Sequence, residues 1–179
     1  FILPFQAFKY RMDVIFSPGY TAPLFLLCKN IVLIYDLNYH YHPSDFSKME
    51  LMVWKMLIPL SAKMSDRIIA ASENSKKDIH NILGIALDKI SVMYGGIDIL
   101  SNFAEKSEEI EFVKKKYNTG ENYVLSVSAF YPHKNMHRLI QSYGILKEKY
   151  GVKHKLVLIG TGGRAQQTII GTIKDLSLE

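Results

Sequence analysis

In the stretch Val127-Ser128-Ala129-Phe130-Tyr131-Pro132-His133-Lys134-Asn135 an apolar run gives way to a loop and then to a helical pattern. That order sets Lys134 at a helix N-terminus, where unpaired N–H groups and the helix dipole already favour an anion. A lysine there can hold a phosphate, or it can be a solvated side chain on an exposed first turn. His133 would line the same crevice. Gly160-Thr161-Gly162-Gly163 follows another apolar run, and the backbone at Gly162 and Gly163 could approach a phosphate or sugar closely. A plain strand-to-helix turn reads the same way. Asp36, preceded by Tyr35, closes a β-branched run; its carboxylate could act as a base, bind a sugar hydroxyl or simply form a turn. His133 and His137 are four apart, and His40 and His42 sit among tyrosines, but no third ligand is evident and no metal site is assigned.

These groups need elements to position them. Short apolar runs at Val14–Ser17, Ile31–Tyr35, Arg67–Ala71, Lys89–Met93, Tyr123–Ser128 and Lys155–Ile159 read as strands, those at Ile31–Tyr35 and Arg67–Ala71 as buried ones. Between them lie helical patterns. One starts at Phe46, with Met49, Met52, Val53, Met56, Leu57 and Leu60 at three- and four-residue spacing, and Pro59 is expected to kink or break it. That methionine stripe, with Trp54 and Lys55 beside it, reads as core in preference to a membrane or partner contact. Ser72 is expected to cap a helix through Leu83, with Gly84 as its left-handed terminus. Further helices are expected at Ile110–Tyr117, Asn135–Tyr150 and from Thr168. Residues 39–45 read as a loop. The alternation implies right-handed βαβ units, hence an α/β fold with parallel sheets. There are two such series, over 1–97 and 109–179, with a polar linker at 98–108. In such sheets ligands bind beyond the carboxyl ends of the strands, which adds Gly19, Tyr20, Ser72, Gly95 and Gly96 to the candidates.

The chain has 179 residues, 48% hydrophobic and 22% charged, which excludes disordered, collagenous and disulfide-stapled classes. The single cysteine, Cys28, excludes an internal disulfide and favours a reducing compartment; it lies in an apolar run and reads as a buried thiol. A formal charge of +5 suits phosphate ligands, anionic membranes or nucleic acid. The lysines form no stripe with aromatics, which speaks against nucleic acid. No stretch reaches the roughly 18 apolar residues of a membrane span. The apolar start, Phe1 to Phe5, lacks signal-peptide features and reads as a cut inside a domain.

The segments VLIYDLNYHYHPSDF, SDRIIAASENSKKDI, KISVMYGGID, YVLSVSAFYPHKNMHRLI and HKLVLIGTGG, in this order across residues 13–163, resemble the family-4 (group 1) retaining glycosyltransferases. The resemblance implies two Rossmann-like domains facing a cleft (GT-B), both incomplete here. Residues 1–97 would be the later part of the acceptor-side domain, and 109–179 the first part of the donor-binding domain. The donor would be a nucleoside-diphosphate sugar and the acceptor a glycan or lipid-linked sugar, with no metal or cofactor. Lys134 matches the family's donor-phosphate lysine, and Tyr35-Asp36 stands where the family often has His-Asp. Ala129 stands where an arginine is common. The family's N-terminal glycine-rich loop would precede Phe1, and its paired glutamates would follow Glu179. The resemblance also implies a cytoplasmic enzyme, allows contact with the cytoplasmic face of a membrane, and leaves a non-catalytic nucleotide-sugar binder or an epimerase of the same fold as alternatives.

Overall fold

The computed structural model describes residues 2–96, 107–160 and 162–178. The chain divides into two compact units, Phe1–Asp98 and Ile99–Glu179. The expected linker at 98–108 lies largely outside the described residues; its last positions already belong to a helix.

The first unit is built on a parallel four-stranded sheet in the order β1 (Val14–Ser17), β2 (Lys29–Ile34), β3 (Arg67–Ala70), β4 (Ile90–Val92). Helix α1 (Ile2–Lys9) precedes β1. Crossovers α3 (Lys48–Met64) and α4 (Glu73–Leu83) join β2 to β3 and β3 to β4. The core forms because the apolar strands meet apolar helix faces: Val32, Ile34, Ile68 and Ala70 of the sheet pack with Ile58 and Ala62 of α3 and Ile79 of α4. Ser72 caps α4, its Oγ accepting from the Ser75 N–H at 3.0 Å, and Gly84 ends the helix with φ 69°, both as expected.

Two expectations fail here, and of the kink or break expected at Pro59 the break does not occur. Residues 39–45 are not a loop: α2 (Asn38–Tyr41) and a 3₁₀ turn at Pro43–Asp45 occupy them, because Tyr39 is drawn into the core. Pro59 does not break α3, which runs 17 residues. The proline removes only its own N–H, and buried Ile58 and Ala62 on either side hold the helix against the sheet. The methionine stripe is not core. Met49, Met52 and Met56 face solvent, and the buried side of α3 is Ile58, Ser61 and Ala62 with Leu51 and Trp54 partly covered.

The second unit has a parallel pair, β5 (Tyr123–Val127) and β6 (Lys155–Ile159). Around it lie α5 (Ser107–Tyr117), α6 (Met136–Tyr150) and α7 (Gln166–Asp175). Its small core is Met136 and Ile140 of α6 with Ile169 of α7, flanked by Leu156 and Leu158. Tyr123, Val124, Leu125 and Val127 of β5 are exposed.

Candidate active site

All four strands of the first unit are parallel, so their carboxyl ends share one edge of the sheet. Tyr20, beyond β1, is pinned there by its N–H to the Leu33 carbonyl at 2.9 Å. Its backbone is left-handed, φ 56°, which costs a bulky residue on the order of 1–3 kcal/mol. The ring lies 5.6 Å from that of Tyr35 and 6.1 Å from that of Trp54. Asp36, beyond β2, accepts from the Asn38 N–H at 3.0 Å and from Asn38 Nδ2 at 2.9 Å, and the Tyr20 side chain lines one cavity with it. Burial pushes the Tyr20 phenol well above the ordinary tyrosine range, and the adjacent Asp36 charge adds to this, so the phenol stays a donor.

Asp36 therefore forms a turn and faces a cavity at the same time. The cavity, about 130 Å³, is lined by Tyr20, Asp36, Asn38, Tyr39, Phe46, Trp54 and Ile58. Aromatic walls beside a fixed carboxylate suit a sugar ring: the rings cover its apolar face, and carboxylate lone pairs left free can accept its hydroxyls. Asn38 belongs to the strand-end stretch Tyr35–Asn38 that the sequence already marks, whereas Trp54, Tyr39 and Phe46 were not among the expected site residues. Their types were visible, but the helix and loop assigned to them put them elsewhere.

Tyr35 is 45% exposed, and its carbonyl accepts from Ser75 Oγ at 2.6 Å. The Ser72 and Ser75 hydroxyls lie 3.0 Å apart. Ser72 thus works as a cap that ties α4 to the Tyr35 turn, through a buried serine that the sequence did not single out. Ser75→Ala should lower stability by about 1–2 kcal/mol in a urea melt, because it strips a hydroxyl bonded at both ends of this tie. Gly19, Gly95 and Gly96 are exposed, lack a left-handed φ, and a Cβ at any of them would meet nothing. Their backbone carries no requirement for glycine.

In the second unit Lys134 closes a 3₁₀ turn, Pro132–Lys134, that leads into α6, one residue later than expected. Its N–H donates to the Tyr131 carbonyl at 3.0 Å and its side chain is exposed. Asn135, φ 57°, starts α6 without a side-chain cap. The Arg138 and Leu139 N–H groups both turn to the Asn135 carbonyl, at 3.1 and 3.4 Å. The first turn thus keeps main-chain donors for an anion beside Lys134. His133 is half-buried and stacks on Tyr131 at 6.2 Å.

The glycine tract presses on this loop. Gly163 has φ 82°, and a Cβ there would strike the Phe130 carbonyl and come within 2.9 Å of the Tyr131 nitrogen. At Gly160 a Cβ would strike the Ser128 carbonyl. The Ala165 N–H donates to the Phe130 carbonyl at 2.8 Å. Gly162, φ 63°, faces open space, and Thr161 lies outside the described residues. The close approach these glycines permit is first of all one loop against the other. Among the described residues no three His, Cys, Asp or Glu side chains gather as a metal site, and no helix is long and apolar enough to cross a membrane.

Parallel sheets with crossover helices, and polar groups collected at the strand ends of two successive units, define a Rossmann-like α/β protein. A family model described as glycosyltransferase family 4 matches residues 1–99, and one described as glycosyl transferases group 1 matches 107–179. The chain belongs to this glycosyltransferase family. It is 27% identical over 133 residues to the O-antigen chain mannosyltransferase RfbU of Salmonella typhimurium, covering 74% of this chain and 33% of that protein. It is 24% identical over 142 residues to the serotype-specific mannosyltransferase WbdA of Escherichia coli, covering 79% of this chain and 17% of that one. The chain thus spans about a third or less of these relatives. Among solved structures, Anabaena HepE in complex with UDP matches at TM-score 0.64 and 19% identity, over 99% of this chain and 48% of HepE. A glycosyltransferase from Rickettsia africae matches at TM-score 0.65 and 16% identity, over 99% of this chain and 47% of that one. The fold is that of the GT-B glycosyltransferases.

Proposed function

We propose that this chain forms part of an enzyme that transfers a sugar from a nucleoside-diphosphate sugar to a glycan or lipid-linked acceptor, with retention of anomeric configuration. The names of the relatives favour mannose as the sugar and an O-antigen-like polysaccharide as the product. One observation carries the reading: an exposed lysine, Lys134, beside the uncapped first turn of α6. Lys134 would hold the donor diphosphate, with the Gly162-Gly163 backbone beside it and His133 lining the pocket. Asp36 would orient an acceptor hydroxyl, with Tyr35 and Tyr20 against the sugar. As the acceptor oxygen bonds to the anomeric carbon, the bond to the diphosphate breaks, and the acceptor proton passes to the departing phosphate oxygen. Lys134 would stabilise the charge that develops there. The reading assigns no metal or cofactor, and it places the reaction in the cytoplasm, at or near a membrane face.

The test is to incubate the whole protein containing these residues with a panel of nucleoside-diphosphate sugars and acceptor glycans. Release of nucleotide from one donor, with a product of retained configuration by NMR, is the expected result. Binding without release from any donor would reject it. That outcome would favour the second reading, a non-catalytic nucleotide-sugar binder, which Ala129 and Tyr35 support by standing where the family often carries arginine and histidine.

A further inference from the structure

Helix α3 is apolar on two opposite sides. Its inward side, Leu51, Trp54, Ile58 and Ala62, packs on the sheet. Its outward side is a ridge of Met49, Met52, Val53, Met56, Leu60 and Met64, with Met49 73%, Met52 68% and Met56 55% exposed. At 1.5 Å per residue the ridge is about 22 Å long. Lys48 and Lys55 are exposed seven residues apart and share one flank of the ridge, and Lys63 is exposed in line with the ridge near its C-terminal end. The only acidic residue of the helix is Glu50, and its carboxylate accepts from the Ser47 N–H in a capping box. The ridge is thus apolar, bordered by positive charge on one flank, and nearly without negative charge. Flexible methionines with lysines at their border are the composition of a helix lying in a lipid interface, where apolar side chains enter the acyl boundary and ammonium groups meet phosphates.

We propose that this face of α3 docks on a membrane surface rich in anionic phospholipid. The lysines carry the choice of occupant: an apolar face of another protein would leave three ammonium groups without counter-charge, whereas an anionic lipid surface supplies one for each. The inference rests on the proposed function in one respect. Trp54, on the opposite side of the same helix, lines the Asp36 cavity, so docking would hold that cavity about one helix diameter, roughly 10 Å, from the headgroups, within reach of a lipid-linked acceptor.

The experiment is co-sedimentation of the whole protein with phosphatidylcholine vesicles and with vesicles in which about a third of the lipid is phosphatidylglycerol. Binding is expected only with the anionic vesicles, weakening as salt rises. Lys55→Gln/Lys63→Gln should weaken it about twenty-five-fold, at about fivefold per lysine. Met52→Gln/Met56→Gln should weaken it by about tenfold. Both pairs are exposed, so an unchanged Tm is expected and serves as the folding control. The proposal is overturned if the wild type ignores anionic vesicles, or if both variants bind as the wild type does. It is also overturned if Met52→Gln/Met56→Gln lowers Tm or dissociates a dimer, since another part of the protein or a second copy then covers the ridge. Nucleotide release with a soluble acceptor separates the two claims. Release without vesicle binding rejects only the docking, and vesicle binding without release rejects only the transferase.

Discussion

Replacing Lys134 with alanine is expected to cut donor-dependent nucleotide release by at least about tenfold, a loss of roughly 1.4 kcal/mol or more of transition-state stabilisation. The effect should be chemical and not structural. The side chain is exposed, and its main-chain N–H, which alanine keeps, makes the bond to the Tyr131 carbonyl. Folding should therefore be unchanged. The ammonium would meet more negative charge on the departing diphosphate than on the bound donor, so kcat should fall more than KM rises. Lys134→Arg should recover part of the rate, because the charge remains although its geometry changes. Steady-state release and a urea melt on the same preparations check both points. A variant with wild-type kcat/KM would remove Lys134 from the donor site.

Gly163→Ala should be the most destabilising small change in the second unit, with a loss on the order of 3 kcal/mol or more. Two costs add there. The backbone is left-handed, and the new methyl group would overlap the Phe130 carbonyl. That carbonyl already accepts from the Ala165 N–H, so it cannot withdraw without breaking a bond that starts α7. Gly160→Ala should behave similarly, since the Ser128 carbonyl stands where its methyl group would go. Two controls bracket the argument. Gly162→Ala meets open space and should cost only the left-handed conformation, about 1 kcal/mol. Gly171→Ala, in α7 with nothing nearby, should raise stability by about 0.5–1 kcal/mol. Urea melts of the four variants should rank in that order. Equal stabilities of Gly162→Ala and Gly163→Ala would mean that the two loops do not touch.

The central strands β2 and β3 were legible because a parallel sheet covered on both faces demands continuous apolar runs, and Ile31–Ile34 and Ile68–Ala70 are such runs. The Ser72 cap and the Gly84 terminus were legible because their requirements are local. The orientation of α3 was not. Both of its sides are apolar, so periodicity could not say which one faces inward, and the smaller side with Ser61 and Ala62 does. Nor was α2, four residues long, whose place is set by Tyr39 entering the core. At the site, the strand-end rule selected Asp36, Tyr20 and the glycine tract by position. It could not show that Tyr20 and Asp36 line one cavity, that Trp54 walls the same cavity, or that Gly163 is needed against Phe130. Those are contacts between residues far apart in sequence.

Tyr20 also bears on how this protein can evolve. Its backbone occupies a region suited to glycine, while its side chain walls the Asp36 cavity and places its ring against those of Tyr35 and Trp54. Selection for robustness alone would relieve the backbone by removing the side chain, and selection for sugar binding would keep the side chain at the backbone's expense. The position is thus one where thermostabilising substitution and retained activity pull in opposite directions, and a consensus-guided stabilisation of this chain should leave it untouched.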